Sequence, residues 1–191
     1  DVTSDTDVWA IRDRLAADGG IDVLVNNAGV MHFFDVTDGF PLAKQLQEVD
    51  IDVNGPIRLV DAFLPGLLER PSMIINVSSG LAWVPYVPAP IYSGAKAFVH
   101  AWTIALRAQL VGTSVRVIEL LPPVTDTPLA DGLHPSFERM DPAELADALI
   151  RGIEKGRDEI APGQSVQLKW LSRLAPRFIF GQLNKAVNNN G

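Results

Sequence analysis

Apolar positions recur along this chain with two periods, and their alternation predicts the fold. Val8, Ile11 and Leu15 share one face of a helix that Asp5 or Thr6 can cap and Gly19-Gly20 ends. "IDVLVNNAG" then compresses into a short buried strand, Val23 to Val25, that runs into a polar turn. A long helical region spans about Pro41 to Leu68, with Pro56 and Pro65 marking a bend and an end. "SMIINVSSG" is a second buried strand, Ile91 to Leu110 a long helix, and "SVRVIEL" a third strand stopped by Pro122-Pro123. A loop rich in Pro and Gly leads to about Met140. Asp141 as N-cap, Pro142 at the first helical position and Glu144 three residues after the cap form a capping-box pattern. "DEIA" is a last short strand, and Leu168 to Val187 is helical with Pro176 interrupting it. Apolar strands without inner alternation suit a parallel sheet covered on both faces. The strand–helix alternation therefore predicts one α/β domain over residues 1–191, with a doubly wound parallel sheet.

Composition narrows the functional classes. Apolar residues at 47% and charged residues at 20% are ordinary for a soluble globular protein, so disorder is expected only at the polar "NNNG" tail. The net charge of −7 argues against tracking nucleic-acid phosphates. Without cysteine there is no disulfide framework or thiolate metal site, and His32, His100 and His134 lie too far apart to suggest metal-ligand spacing. No apolar run approaches the ~20 residues that cross a bilayer, and no signal peptide is seen. The expectation is a cytoplasmic protein with a small-molecule substrate, no metal and no stable membrane insertion.

Candidate chemistry gathers at strand ends. In parallel sheets, ligands bind outside the carboxyl ends of the strands. "NNAG", "SSG" and "PPVTDT" all occupy such ends. In "PIYSGAKAFVHAW", Tyr92 and Lys96 are four residues apart and share one helical face. A free phenol titrates near ~10 and is a poor base at neutral pH. A nearby ammonium lowers that value and fits the phenol for proton exchange with a carbonyl or alcohol oxygen. The same spacing also describes a solvated pair on a helix surface. Ser79, thirteen residues before Tyr92, can hydrogen-bond a substrate oxygen as charge develops on it, or simply complete a turn.

Taken together, "VLVNNAG", "NVSS", "YSGAK" and a Pro-rich strand end closing with Thr127 resemble the short-chain dehydrogenase/reductase family. Order and spacing match from Asp1 to about Leu129 and more loosely beyond. The resemblance implies a Rossmann-like fold, NAD or NADP as cofactor, and hydride transfer between nicotinamide and a carbonyl or alcohol. It makes Tyr92 the general acid or base, Lys96 its tuner and a ribose ligand, and Ser79 the group that orients the substrate oxygen. Asn26, Ala28 and Gly29 fall beside the cofactor, Thr127 near the carboxamide, Val124 in the same loop, and Asp1 near the adenine. It also implies a homodimer or homotetramer through two long helices.

Three departures from the family pattern stand out. "VDIDVNG" places Asp52, and not Asn54, where many members carry a catalytic asparagine. The added carboxylate opposes Lys96 by raising the phenol pKa. The usual Pro-Gly after the third strand reads Pro122-Pro123, which removes one backbone N–H from the cofactor side and leaves Val124 as a replacement donor. No G-x-x-x-G-x-G turn, which would approach the pyrophosphate, occurs in these residues. The family carries it in a segment of roughly 50–60 residues that precedes the part matched here. The domain is therefore expected to be N-terminally incomplete, and NAD cannot be told from NADP.

Trp83, Val84, Tyr86 and Leu129, with Leu133 and Phe137, are expected to wall an apolar substrate site that Met31 and His32 also reach. The amphipathic "KWLSRLAPRFIFGQL" suits a subunit interface, site closure or a membrane surface, in that order. Two rival readings remain open at this point. One is a catalytically impaired Rossmann-like binding protein, suggested by Asp52 and the missing glycine turn. The other is a dehydratase or epimerase.

Overall fold

In the computed structural model, which describes residues 1–185, strands β1 (Val23–Asn26), β2 (Ser72–Val77), β3 (Val115–Leu120) and β4 (Glu159–Ile160) form a sheet. All three pairings are parallel and the spatial order is β1-β2-β3-β4. Asn26 lies beside Asn76, Val77 beside Leu120, and Leu120 beside Ile160, so the carboxyl ends emerge along one edge. Helices α1 (Asp5–Ala17), α2 (Leu42–Val49), α3 (Gly55–Leu67), α4 (Pro90–Gln109) and α5 (Pro142–Glu154) are interspersed with the strands, and α6 (Gln164–Leu174) and α7 (Pro176–Leu183) follow β4.

Successive strand residues point to opposite faces, and β2 shows what each face meets. Ile74 joins Val8, Leu24, Phe63, Leu67, Leu106 and Val117 under α1, α3 and α4. Ile75 joins Ile118, Leu120 and Ile160 under Leu145, Leu149 and Ile153 of α5. The centre of the sheet is thus covered on both faces, in a Rossmann-like α/β arrangement.

Some local expectations need correction. Ser4, ahead of the expected Asp5 or Thr6, caps α1 by accepting from Asp7 N–H (3.2 Å). Within α1, Ile11 is exposed while Val8 is buried. In β1 only Leu24 and Asn26 are buried, and Val23 and Val25 are 42% and 49% exposed. Val25 is in register with Ile75, but the α5 cluster extends over β3 and β4 and leaves it open. Asp141 caps α5 by accepting from Ala143 N–H (2.6 Å), while no return bond from Glu144 forms among the described residues. The last helical stretch starts earlier than Leu168, and Pro176 divides it by opening α7. Its expected end at Val187, like the "NNNG" tail, lies outside the described residues.

The long helix from Pro41 is continuous but changes winding. Asp50–Asn54 form a π turn between α2 and α3, with Gly55 N–H donating to the Asp50 carbonyl. Pro56, in the first turn of α3, has no N–H to return to Asp52, four residues back. The ladder therefore shifts by one residue at Asp52, and such π insertions are frequent at functional sites. Pro65 sits inside the last turn of α3, which ends at Leu67.

Candidate active site

The carboxyl edge of the sheet opens into a cavity of about 560 Å³. Its lining includes Asn27 and Gly29 after β1, Ser79 after β2, Tyr92 and Lys96 of α4, and Pro122, Val124 and Thr127 after β3. Tyr92 and Lys96 are buried, at 7% and 4% exposure, which excludes a surface pair. Ser93 fixes this end of α4: its hydroxyl donates to the Ala89 carbonyl (2.9 Å) and accepts from Tyr86 N–H (3.0 Å). Ser79 Oγ accepts from Leu81 N–H (3.1 Å), which caps the 3₁₀ turn Gly80–Ala82.

Lys96 is held differently from the way the i, i+4 spacing suggests. Its Nζ donates to the Val77 carbonyl (3.3 Å) and lies 3.4 Å from Asp52 Oδ2. It stands 5.3 Å from the centre of the Tyr92 ring. Asp52 is fully buried, and its Oδ1 accepts from Val30 N–H (2.8 Å). Burial pushes the Asp52 carboxyl up, and the Lys96 charge pulls it down. The Tyr92 phenol is pushed well above its ordinary range, first by burial and then by the Asp52 carboxylate. The Ser79 hydroxyl acts in the opposite direction, and Glu48 adds a further upward push. The ammonium is neutralised against Asp52, and burial dominates. Asn54 is on the surface, donating to Asp50 Oδ1 (3.0 Å), so Asp52 is the residue that the helix turns inward.

Other expected positions divide. The Asn26 side chain faces the core and donates to Asn76 Oδ1 (2.7 Å), and Asn27 lines the cavity instead. Ala28 is absent from the lining. Gly29 is present, and a Cβ there would press on Asp52 Oδ2 at 3.2 Å and Lys96 Nζ at 3.3 Å. Asp1 is not among the lining residues, and its carboxylate accepts from Thr3 N–H and O–H (both 2.9 Å). Tyr86 and Leu129 wall the cavity, as do Met31, Leu133 and Phe137. Trp83 and Val84 line a separate groove of about 300 Å³ instead. Trp83 Nε1 donates to His100 Nε2 (3.3 Å), while His100 Nδ1 lies 2.9 Å from both oxygens of fully buried Glu119. That anchoring explains why the indole turns away. His32 turns from the cavity to Glu48.

The C-terminal helices supply a wall that local reading left among three possibilities. Gln164, Gln167 and Leu168 of α6, and Ile179, Gln182 and Leu183 of α7, close one side of the cavity. Gly80 permits this docking, because a Cβ there would meet Leu168 Cδ1 at 2.9 Å and Ser165 Oγ at 3.1 Å. Both contacts are side-chain atoms that can shift. Gly80→Ala is therefore expected to cost only about 1 kcal/mol of stability while displacing α6. Thermal unfolding checks this: the melting temperature should fall only slightly.

No group of three or more His, Cys, Asp or Glu side chains suited to a metal ion occurs among the described residues, and none of their helices is long and apolar enough to cross a membrane. The short chain dehydrogenase family model matches residues 1–136. The uncharacterized oxidoreductase DltE of Bacillus subtilis (strain 168) is 31% identical over 186 residues, 94% of this chain and 72% of its own length. The chain spans under three fifths of the length of two staphylococcal oxidoreductases, at 59% and 58%. Among solved structures, a short chain dehydrogenase from Burkholderia cenocepacia J2315 in complex with NADP superposes with a TM-score of 0.84 at 27% identity, over 95% of this chain and 77% of that one. A 3-ketoacyl-(acyl-carrier-protein) reductase from Brucella melitensis complexed with NADH gives 0.72 at 27% identity, over 80% and 68%. Given the parallel sheet, the buried Tyr92–Lys96 pair at its carboxyl edge and the matched length, this chain belongs to the short chain dehydrogenase family.

Proposed function

We propose that this chain carries the catalytic part of an NAD- or NADP-dependent oxidoreductase that interconverts a carbonyl and a secondary alcohol on a substrate with an apolar body. The observation that carries the reading is the convergence of Ser79, Tyr92 and Lys96 on one cavity, with Asp52 buried behind Lys96. The NADP- and NADH-bound relatives support the choice of cofactor. The residues present fit a nicotinamide: Asn27, Gly29, Val124 and Thr127 offer small or polar surface beside Lys96 at the mouth of the strand ends. When bound, the cofactor supplies or accepts the hydride at the substrate carbon.

This chain's own groups manage the oxygen and its proton. Ser79 orients the substrate oxygen by hydrogen bonding. In reduction the Tyr92 hydroxyl donates its proton to the oxygen as negative charge develops there, and in oxidation the phenolate takes that proton back. Burial favours the protonated phenol, so the site in this state is best prepared for reduction. The wall is mostly apolar, and Lys96 is the only charged side chain among the described residues that line it. Gln164, Gln167 and Gln182 add neutral amides. Neutral ketones and aldehydes should therefore be preferred over acids, because an acid buried in such a cavity lacks a dedicated counter-charge.

The test is loss of reduced-nicotinamide absorbance by the full-length protein across matched neutral and acidic carbonyl compounds. Turnover of neutral members supports the reading. Cofactor binding without turnover of any carbonyl would favour the non-catalytic binding protein, for which the upward push of Asp52 on Tyr92 is the specific argument.

Asp52→Asn separates the two effects of that carboxylate. The amide oxygen can still accept from Val30 N–H, and the negative charge beside the phenol is gone. The phenolate is then populated at lower pH, so the rising limb of the oxidation rate against pH should move to lower pH. Oxidation at neutral pH should gain on the order of tenfold. Measured kcat/KM between acid and alkaline pH decides: an unmoved limb rules out Asp52 as the group that raises Tyr92.

A further inference from the structure

The site continues inward past Lys96 through groups that hydride transfer does not use. Glu48, at the end of α2, is fully buried, and its Oε2 lies 3.0 Å from His32 Nδ1. Its Oε1 is enclosed and has no hydrogen-bond partner. Asp52 follows four residues later, in the π turn, and its enclosed Oδ2 has the Lys96 ammonium at 3.4 Å as its counter-charge. The sequestered Glu48 oxygen, one turn from the Asp52–Lys96 ion pair, needs an explanation, since buried polar atoms are nearly always satisfied.

The charged and titratable groups that act on this pair are few. His32 comes from the segment after β1, and Lys96 and Tyr92 come from α4. Glu48 is pushed up chiefly by burial and pulled down by His32, and the Asp52 charge pushes it up further. Two buried carboxylates therefore face one buried ammonium and one histidine. Like charges in one enclosed site do not both ionise readily. The His32 side chain is 27% exposed, against 0% for Glu48 and Asp52 and 5% for Lys96. His32 is also outside the substrate cavity lining.

We propose that Glu48 and His32 are relay residues that exchange protons between the Tyr92–Lys96–Asp52 cluster and solvent by a route separate from the substrate entrance. The inference rests on the oxidoreductase reading. In oxidation, the substrate C–H leaves as hydride with its electron pair to the oxidised nicotinamide, and the hydroxyl proton passes to the Tyr92 phenolate. One proton per turnover must then leave the cluster. The Glu48–Asp52 carboxylate pair takes it up, His32 receives it from Glu48 across their 3.0 Å contact, and water outside accepts it. Reduction runs the same transfers backwards. An imidazole at the surface end suits this work because one ring nitrogen can take a proton while the other gives one up.

The experiment compares full-length wild type, Glu48→Gln, His32→Ala and Tyr92→Phe in steady-state oxidation, in light and heavy water, across pH and with added imidazole. Glu48→Gln preserves shape and should lower the rate about tenfold at low buffer concentration, enlarge the solvent isotope effect and leave the substrate KM unchanged. His32→Ala should lose a similar factor and recover it saturably with imidazole, a response that mere misfolding does not produce. If Tyr92→Phe is inactive while both relay variants keep the wild-type pH profile and isotope effect, the relay is overturned and the function stands. A His32→Ala loss that no imidazole concentration restores also overturns it. Full activity in Tyr92→Phe removes the oxidoreductase mechanism on which the relay depends.

Discussion

Replacing Tyr92 with phenylalanine will lower kcat by about 10³-fold, the middle of the range for a positioned general acid–base, and will leave the fold intact. The ring packs in a buried cluster with Tyr86 and Ala89, and phenylalanine keeps that packing. Only the hydroxyl is lost. In the protein it lies beside Ser79 and within the field of Asp52 and Glu48, both of which disfavour its ionised form. Thermal stability should therefore be unchanged or slightly higher. Cofactor titration by fluorescence should give wild-type affinity, because Lys96 and the strand-end loops are untouched. Parallel measurement of kcat, melting temperature and cofactor affinity isolates the chemical step, and a variant that turned over normally would remove Tyr92 from the mechanism.

The second large effect is on stability. Lys96→Met keeps the volume of the stem and removes the ammonium, leaving fully buried Asp52 with the Val30 N–H as its remaining hydrogen-bond partner. Breaking one side of a buried ion pair costs about 3–5 kcal/mol. The cost should depend on pH in a definite sense. Burial already holds the Asp52 carboxyl above its ordinary value of 3.8, and without Lys96 it rises further. A group that binds its proton more tightly in the folded than in the unfolded state makes stability fall as pH rises from the unfolded value to the folded one. The variant should therefore be closest to wild type in acid and lose most above the ordinary carboxylate range. In an Asp52→Asn background the same Lys96→Met change should cost markedly less, since no charge is stranded. Urea unfolding of the four members of this cycle at several pH values tests both statements. Equal losses in the two backgrounds would show that Lys96 contributes packing alone.

Much of this architecture is written in local patterns. The strand–helix alternation located all four described strands: β1 to β3 are compact, mostly apolar runs bounded by polar turns, and β4 is the two-residue Glu159–Ile160. Pro142 after Asp141 announced the start of α5. Three polar motifs at successive strand ends were bound to meet once the strands were parallel. Where the local reading failed, the cause was tertiary. Val23 and Val25 are as apolar as any buried strand residue, yet no described helix covers them. Trp83 looked like substrate wall and was drawn away by His100 and Glu119, partners 17 and 36 residues distant in sequence. The side chain that reaches the cavity from "NNAG" is Asn27, because Asn26 is drawn inward to Asn76 on the adjacent strand.

Glu48 carried a faint signal, a lone acid one turn before Asp52 in a largely amphipathic helix. Its burial against His32 has no signature in spacing. Residue identity and order by themselves determined the fold class and the family. Only the tertiary structure decided which charge faces which. Lys96 is spent on Asp52, and the Tyr92 phenol is governed by burial, because Coulomb attraction and desolvation depend on distances and dielectric surroundings that arise only once α2, α4 and the sheet have packed together.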